Sequence, residues 1–339
     1  MTTWVPDVLG DGYQQLTIPL GKDPDGEGDV RATLIRYQPA EETKKTGRTV
    51  LYVHGFTDYF FQKHLAEHFA EQGYAFFALD LRKCGRSLDP GQTPHYVSNL
   101  RLYDAELDEA LRVVREQTGN GEVLLVAHST GGLVLPLWLH RLQKKPGGTA
   151  ALGISGVILN SPWFDLQGPS YLRNVGTVAV GAVGRIKQKT VVPKTALDTY
   201  GASLHAESNG IWHYNLDWKP LSGFPITFGW LRAVRRGHAQ LHRGLDIGVP
   251  ALILRSKSSY FAPRYDPKVD TADAVLDVRQ IARWAGCLGD RTTIVPVEGA
   301  RHDVFLSSDG PRATAFAEVD LWLDWLHGHR SATFAAGTE

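Results

Sequence analysis

The sequence contains little cysteine and has no net charge, and these two features exclude several classes of protein. Only two cysteines, Cys84 and Cys287, occur in 339 residues, which is too few for a disulfide framework or a cysteine-rich metal site. Lysine plus arginine and aspartate plus glutamate number 36 each, so no overall charge attracts nucleic acid. We therefore expect no nucleic-acid partner, and so little cysteine is compatible with a reducing compartment.

Long hydrophobic runs are also missing from the sequence. The longest uncharged apolar run, Val175–Gly184, is much shorter than the roughly 20 residues that cross a bilayer. The first residues, MTTWVPDVLGDG, lack the basic segment and the apolar core of a signal peptide. The sequence therefore predicts a cytoplasmic protein without stable membrane insertion. Nothing in the sequence indicates an oligomeric state.

Short apolar segments alternate with amphipathic segments through most of the chain. Residues 48–56 and 75–80 are apolar runs typical of strands, whereas the apolar residues between Leu100 and Val114 recur every three or four positions, as in a helix. Strands that are apolar along their whole length and alternate with helices are typical of a parallel sheet covered on both faces. We predict an α/β fold with a mostly parallel sheet of eight strands flanked by helices.

The alternation of strands and helices is interrupted between residues 167 and 245. This interval is rich in aromatic residues, and it contains ten Lys or Arg but three Asp or Glu, a local net charge of +7. We predict that 167–245 forms a cap inserted into a core made of residues 1–166 and 246–339. Its basic residues could be an ordinary solvated face, or they could attract an anionic substrate or a lipid surface.

The stretch VAHSTGG, residues 126–132, has the pattern of a nucleophile at a sharp turn. An apolar strand pattern ends there and a helical pattern begins at Gly131, which places Ser129 at a strand-to-helix junction. Such a tight turn requires small residues on both sides, here Ala127 and Gly131. The turn also directs the backbone N–H of Thr130 toward an oxygen that becomes negative during the reaction. Ser129 is therefore the candidate nucleophile and Thr130 a candidate oxyanion donor.

A serine hydroxyl needs a base to become a good nucleophile, and the chain has 13 histidines. His302, in GARHD after the last predicted strand, is expected at the same sheet edge as Ser129. His128 is adjacent in sequence, but we expect its side chain to point away across the turn. The loop HGF after an earlier strand places the backbone N–H of Phe56 as the second oxyanion donor, and His54 is expected to shape that loop.

The acid that orients the histidine should follow the seventh predicted strand and precede His302. After this strand come Asp266, Asp270, Asp273 and Asp277. Asp277 directly precedes a helical run and could serve only as its N-cap, whereas Asp273 has no such role. We favour Asp273 as the acid, with Asp277 as the alternative.

Together these motifs resemble the α/β-hydrolase family, in particular capped serine hydrolases of the monoglyceride-lipase and lysophospholipase type. The resemblance is carried by HGF, LDLRKCGRS, AHSTGG and GARHD in this order along the chain. LDLRKCGRS, residues 79–87, departs from the family pattern at Lys83, where the family has glycine. The segment that begins at Ala272, ADAVLDV, resembles the family's acid segment, in which the first aspartate is the triad acid.

The resemblance implies an α/β-hydrolase fold and a role for each candidate residue. By this likeness Ser129 is the nucleophile, His302 the base and Asp273 the acid, and Phe56 and Thr130 are the oxyanion donors. The implied reaction is hydrolysis of a carboxylic ester, such as an acylglycerol, a lysophospholipid or a similar apolar acyl ester, through an acyl-enzyme intermediate. The expected partner is thus a small-molecule or lipid ester.

The expected chemistry requires neither a cofactor nor a metal ion. The pattern H-x-x-E-H at His64 resembles a zinc motif, but an amphipathic helix explains it better. An aminopeptidase on the same fold is an alternative that would need carboxylates in the cap to bind a cationic amine. A hydrolase-fold protein that binds a ligand without turnover is the other alternative.

Overall fold

A computed structural model of the protein describes residues 3–40, 46–167, 180, 183–193 and 198–336. Most of the run Val175–Gly184 and two of the ten basic residues of the predicted cap, Arg173 and Lys194, lie outside these ranges. In the described ranges, no helix is both long enough and apolar enough to cross a membrane.

The strands of the described residues form one sheet. Their bounds are Val5–Pro6 (β1), Tyr13–Lys22 (β2), Asp29–Tyr37 (β3), Arg48–Val53 (β4), Ala75–Asp80 (β5), Glu122–His128 (β6), Ile154–Asn160 (β7), Ala251–Ser256 (β8) and Thr292–Val297 (β9). Their order in the sheet is β1-β2-β3-β5-β4-β6-β7-β8-β9, and all pairs from β5 to β9 are parallel. The described part of the sheet has nine strands, one more than predicted, because the two residues of β1 are too few to show a strand pattern.

Helices cover both faces of the sheet. Their bounds are Lys63–Glu71 (α1), Asp104–Gln117 (α2), Gly131–Gln143 (α3), Asp198–Leu204 (α4), Phe228–Leu241 (α5), Val278–Trp284 (α6) and Asp309–Ala336 (α7). Side chains alternate along β4, so that Leu51 and Val53 are buried in one cluster with α2 and α3, and Val50 and Tyr52 in another with α1 and α7. Burial of each such aliphatic side chain contributes about 1.5–3 kcal/mol, which stabilises the sheet that carries the site.

The predicted helix over residues 100–114 differs from the observed one at its start. The first turn, Leu100–Tyr103, is a 3₁₀-helix, and the α-helix continues from Asp104 to Gln117. The Asn99 side chain accepts a hydrogen bond from the Arg101 backbone N–H and so satisfies a donor at the start of this turn.

The predicted cap, residues 167–245, contributes no strand to the sheet in its described part, and it contains α4 and α5. Among the described residues, three ion pairs join cations of the cap to carboxylates outside it: Lys189 with Glu27 at 2.6 Å, Lys219 with Asp58 at 2.8 Å, and Arg235 with Asp165 at 2.6 Å. Part of the local positive charge therefore neutralises acidic residues of the predicted core. The division into core and cap stays a prediction.

Candidate active site

Ser129 lies at the sharp turn between β6 and α3. Its φ of +51° is in the left-handed region, a conformation that costs a serine about 1–3 kcal/mol and that the flanking strand and helix maintain. A Cβ on Gly131 would lie 2.5 Å from the His54 carbonyl oxygen, and a Cβ on Gly55 would lie 2.9 Å from the Ser129 Cβ. Both positions therefore require glycine, as the sequence pattern predicts for Gly131.

Ser129, His302 and Asp273 meet at the carboxyl ends of the strands. The His302 Nε2 is 3.0 Å from the Ser129 Oγ, and its Nδ1 is 2.9 Å from the Asp273 Oδ2. The other oxygen of Asp273 accepts hydrogen bonds from the backbone N–H groups of Val275 and Leu276, at 2.8 and 2.7 Å. An ionised carboxylate only accepts, so Nδ1 carries the proton and Nε2 can accept the serine proton.

Asp277, the alternative acid, has a different environment. It is the N-cap of α6, and its side chain accepts from the Arg279 backbone N–H and pairs with the Arg279 guanidinium. Burial would raise the pKa of Asp277, but the hydrogen bonds from Arg279 lower it below its ordinary value. Among the hydrogen bonds of the described residues, none joins Asp277 to His302. Its contacts are those of a helix cap.

The two candidate oxyanion donors, Phe56 and Thr130, lie in the wall of the cavity that contains Ser129. Within the described ranges, no hydrogen bond from either backbone N–H to a protein acceptor is found. Thr130 precedes the first residue of α3, where the helix dipole favours negative charge. Both N–H groups are therefore available to a substrate oxygen.

His54 fixes the loop that carries Phe56, as expected. Its Nε2 accepts a hydrogen bond from the Leu81 backbone N–H at 3.0 Å, so its Nδ1 carries the proton and donates to the Gly55 carbonyl oxygen at 2.7 Å. Both ring nitrogens are thus occupied by backbone groups. Because both partners are backbone groups and neither is the Ser129 hydroxyl, His54 holds the loop and is not the base.

A cavity of about 400 Å³ opens beside Ser129. One part of its wall is apolar and continuous with the core, and it includes Phe56, Trp163, Ile226 and Leu276. A second, more polar part consists of three residues of the predicted cap: Tyr200, Tyr214 and Lys219. Of the described residues that line the cavity, none is an aspartate or a glutamate.

His128 does not point away from the site, so this sequence-based expectation is wrong. The side chain lines the cavity, and its ring centroid is 4.9 Å from that of His302. The cause is Asp58, whose Oδ2 is 3.1 Å from the His128 Nδ1 and whose Oδ1 accepts from the Lys219 ammonium at 2.8 Å. Burial alone would raise the pKa of Asp58, but Lys219 and the hydrogen bond with His128 hold it well below its ordinary value.

Four polar residues around the triad are not marked by any sequence motif we recognised: Asp58, Asn160, Tyr200 and Lys219. Their contacts join distant segments, since Asp58 and Lys219 are 161 residues apart and Asn160 and Asp303 are 143 apart. Of these residues, Asp58 could most easily have been found from the sequence, since it lies four residues after His54 in HGFTD. An aspartate in a loop beside the oxyanion donor needs a polar partner if it is buried.

We expect Lys219→Met to lower the free energy of unfolding by about 3–5 kcal/mol at pH 7, because it leaves the buried Asp58 carboxylate without its cation. The pKa of Asp58 is lowered by folding, so the ion pair stabilises the protein above the unfolded-state pKa of about 4 and loses this effect as the pH falls below it. Urea unfolding of the wild type and the variant at several pH values measures the difference.

Lys187→Met is the matched control, because Lys187 is an exposed lysine of the same predicted cap. This substitution should change the unfolding free energy by no more than about 0.5 kcal/mol at any of these pH values. If Lys219→Met is no more destabilising than Lys187→Met, the Asp58 pair does not stabilise the fold.

The sequence profile of the serine aminopeptidase S33 family, a family of hydrolases, matches residues 44–309. The chain belongs to this family. The match extends across Ser129, Asp273 and His302, and with the observed sheet it confirms the predicted α/β-hydrolase resemblance and fold class.

Two solved structures illustrate the shared fold. A soluble variant of monoglyceride lipase from Saccharomyces cerevisiae, in complex with a substrate analog, is 18% identical with a TM-score of 0.63, over 96% of this chain and 95% of that one. A thermostable carboxyl esterase from Bacillus coagulans, in complex with glycerol, is 13% identical with a TM-score of 0.60, over 94% and 99% of the two chains. At such identities the likeness establishes the fold.

A curated relative is the uncharacterized protein YnbC of Escherichia coli K12. It is 29% identical over 142 residues, which are 41% of this chain and 22% of YnbC. The matched region thus spans about a fifth of the length of that relative.

Proposed function

We propose that the protein is a serine hydrolase that cleaves carboxylic esters of apolar acyl groups, such as acylglycerols or lysophospholipids. The observation that carries this proposal is the hydrogen-bonded series Ser129, His302 and Asp273, with distances of 3.0 and 2.9 Å, beside a largely apolar cavity. In this series the buried Asp273 carboxylate holds the His302 imidazole in the tautomer that can accept the serine proton. The likeness to a monoglyceride lipase and a carboxyl esterase is consistent with ester substrates.

The proposed reaction has two halves, acylation of Ser129 and hydrolysis of the acyl-enzyme. The Ser129 Oγ attacks the ester carbonyl carbon while the His302 Nε2 takes its proton, and the Phe56 and Thr130 N–H groups stabilise the oxyanion. His302 then gives the proton to the departing alcohol, which leaves an acyl group on Ser129. In the second half, His302 deprotonates a water that attacks the acyl-enzyme, and Ser129 regains its proton as the carboxylic acid leaves.

The cavity favours an ester substrate over a peptide with a free amino terminus. An aminopeptidase must bind a cationic amine, for which a carboxylate in the cavity is the natural partner. The described lining residues include none, and the charge of the one lysine among them, Lys219, is neutralised by the buried Asp58. The lack of a carboxylate in the described lining argues against the aminopeptidase alternative, although the family is named for serine aminopeptidases. The hydrogen bond between Ser129 and His302 argues against a binding protein without turnover.

The first test is covalent labelling by a fluorophosphonate probe, which reacts with activated serines. We expect stoichiometric labelling of the wild type at Ser129, identified by mass spectrometry of the labelled peptide, and no labelling of Ser129→Ala. Ser161→Ala is the control because it also removes a buried hydroxyl of this region. An intact, folded protein that does not react would overturn the proposed function.

The acyl preference is tested with p-nitrophenyl esters of increasing chain length. Burial of a methylene contributes about 0.8 kcal/mol, so kcat/KM should rise about four-fold with each added methylene until the cavity is full. If kcat/KM does not change with acyl chain length, the protein has no preference for apolar acyl groups and is a general esterase. Faster cleavage of amino-acid p-nitroanilides than of esters would support the aminopeptidase alternative.

A cytoplasmic location is also part of the proposal. The two cysteines are free, Cys84 being buried and Cys287 partly exposed, as is usual in a reducing compartment.

A further inference from the structure

A buried amide connects the two turns that carry Ser129 and His302. Asn160 is the last residue of β7 and has no exposed surface. Its backbone carbonyl accepts from the Ser129 N–H at 2.9 Å. Its side-chain Nδ2 donates to the Asp303 Oδ1 at 2.6 Å, and its Oδ1 accepts from the Val304 N–H at 3.1 Å. One residue thus contacts the backbone of the candidate nucleophile and the two residues that follow the candidate base.

Asp303, the partner of this amide, is a buried carboxylate with neutral donors around it. Only 1% of its surface is exposed, and in the described part of the chain no lysine, arginine or histidine forms an ion pair with it. Its oxygens accept from the Phe305 N–H at 3.1 Å and from the Gln62 side chain at 3.2 Å, and its own N–H donates to the Tyr200 hydroxyl. A buried carboxyl group of this kind is tolerated only while its hydrogen bonds are complete.

We propose that Asn160 is a positioning residue that sets the distance between the Ser129 hydroxyl and the His302 imidazole. It touches neither reacting atom, so its effect is exerted through Asp303 and the Ser129 backbone. This inference rests on the proposed function, because proton transfer from Ser129 to His302 is the step that depends on this distance. Loss of the amide deprives Asp303 of its shortest hydrogen bond and frees the turn at His302 to move.

Asn160→Leu tests the inference by removing both polar atoms at nearly constant size. A misplacement of about 1 Å can lower a rate by about 10²-fold, so we expect kcat for a p-nitrophenyl ester to fall by about that factor while KM changes little. Ser161→Ala is the matched control: Ser161 is equally buried, is the next residue along the chain, and its hydroxyl has no hydrogen-bond partner among the described residues. It should retain wild-type kcat.

Asn160→Asp adds a readout that a purely structural role would not change. The new carboxyl lies against Asp303, and the two groups share one proton because two adjacent buried carboxylates resist ionisation. While that proton is present, it restores the missing donor to Asp303 and kcat should be close to that of the wild type. When the proton is lost at high pH, the carboxylates repel, so the variant should show a fall in kcat at high pH that the wild type lacks.

Fluorophosphonate labelling separates this inference from the proposed function. If the wild type does not label at Ser129, the proposed function fails. If the wild type labels but Asn160→Leu reacts at the wild-type rate, the positioning role alone is overturned. A kcat–pH profile of Asn160→Asp parallel to that of the wild type overturns it as well, and this profile decides the question if Asn160→Leu does not fold. Circular dichroism at each pH verifies that the assayed protein is folded.

Discussion

We expect His302→Ala to lower kcat for ester hydrolysis by about 10⁶-fold, the loss that follows removal of the base of a serine triad, which is the role proposed for His302. Alanine leaves the Ser129 hydroxyl without an acceptor for its proton, and it also removes the acid that protonates the leaving alcohol. The His302 side chain is 2% exposed and lies 3.0 Å from the Ser129 Oγ, so bulk water cannot replace it directly. Steady-state kinetics with a p-nitrophenyl ester measure the effect, with Ser129→Ala as the background rate.

His213→Ala is the control for this experiment, because His213 is an exposed histidine of the predicted cap. Its kcat should equal that of the wild type. A His302→Ala protein that is folded, as judged by its thermal unfolding, and that retains more than a hundredth of wild-type kcat would contradict the assignment of His302 as the base.

We expect Asp273→Asn to lower kcat by about 10⁴-fold, because it should favour the wrong tautomer of His302. The wild-type carboxylate accepts from Nδ1 and leaves Nε2 free to accept the serine proton. The amide of asparagine can donate to Nδ1, which moves the imidazole proton to Nε2 and blocks the transfer. KM should change little, since Asp273 is fully buried behind the histidine.

Asp277→Asn is the matched control, because it makes the same substitution at an aspartate four residues later in the chain. Asparagine is as good a helix N-cap as aspartate, so neither stability nor kcat should change greatly. A loss of kcat in Asp277→Asn but not in Asp273→Asn would show that the acid is misassigned.

The local parts of the site could be predicted from the sequence because short-range geometry determines them. The turn at Ser129 follows from an apolar strand, a helix beginning at Gly131 and the need for small residues between them. The alternation of continuous apolar strands with helices is likewise local, and it predicts the parallel part of the sheet. The strand β1, by contrast, is defined only by its pairing with β2, which two residues of sequence do not reveal.

The candidate acid, Asp273, is harder to predict because a long-range pairing places it. Asp273 lies well beyond the end of β8, yet its backbone N–H donates to the Ser258 carbonyl and its carbonyl accepts from the Tyr260 N–H, both at 2.9 Å. This pairing returns Asp273 to the end of the strand, and the residues between form a loop. The orientation of His128 was mispredicted for a similar reason, since it depends on Asp58, 70 residues earlier in the chain.

Three ion pairs of the described residues connect the predicted cap with the rest of the chain, and they restrict how this enzyme could be re-engineered. Lys189, Lys219 and Arg235 each neutralise an acidic group on a different segment: Glu27, Asp58 or Asp165. A chimaera that grafts residues 167–245 onto another hydrolase scaffold would bring three positive charges to a surface lacking their counterparts. To transfer substrate specificity by exchanging this segment, Glu27, Asp58 and Asp165 must therefore be transferred with it.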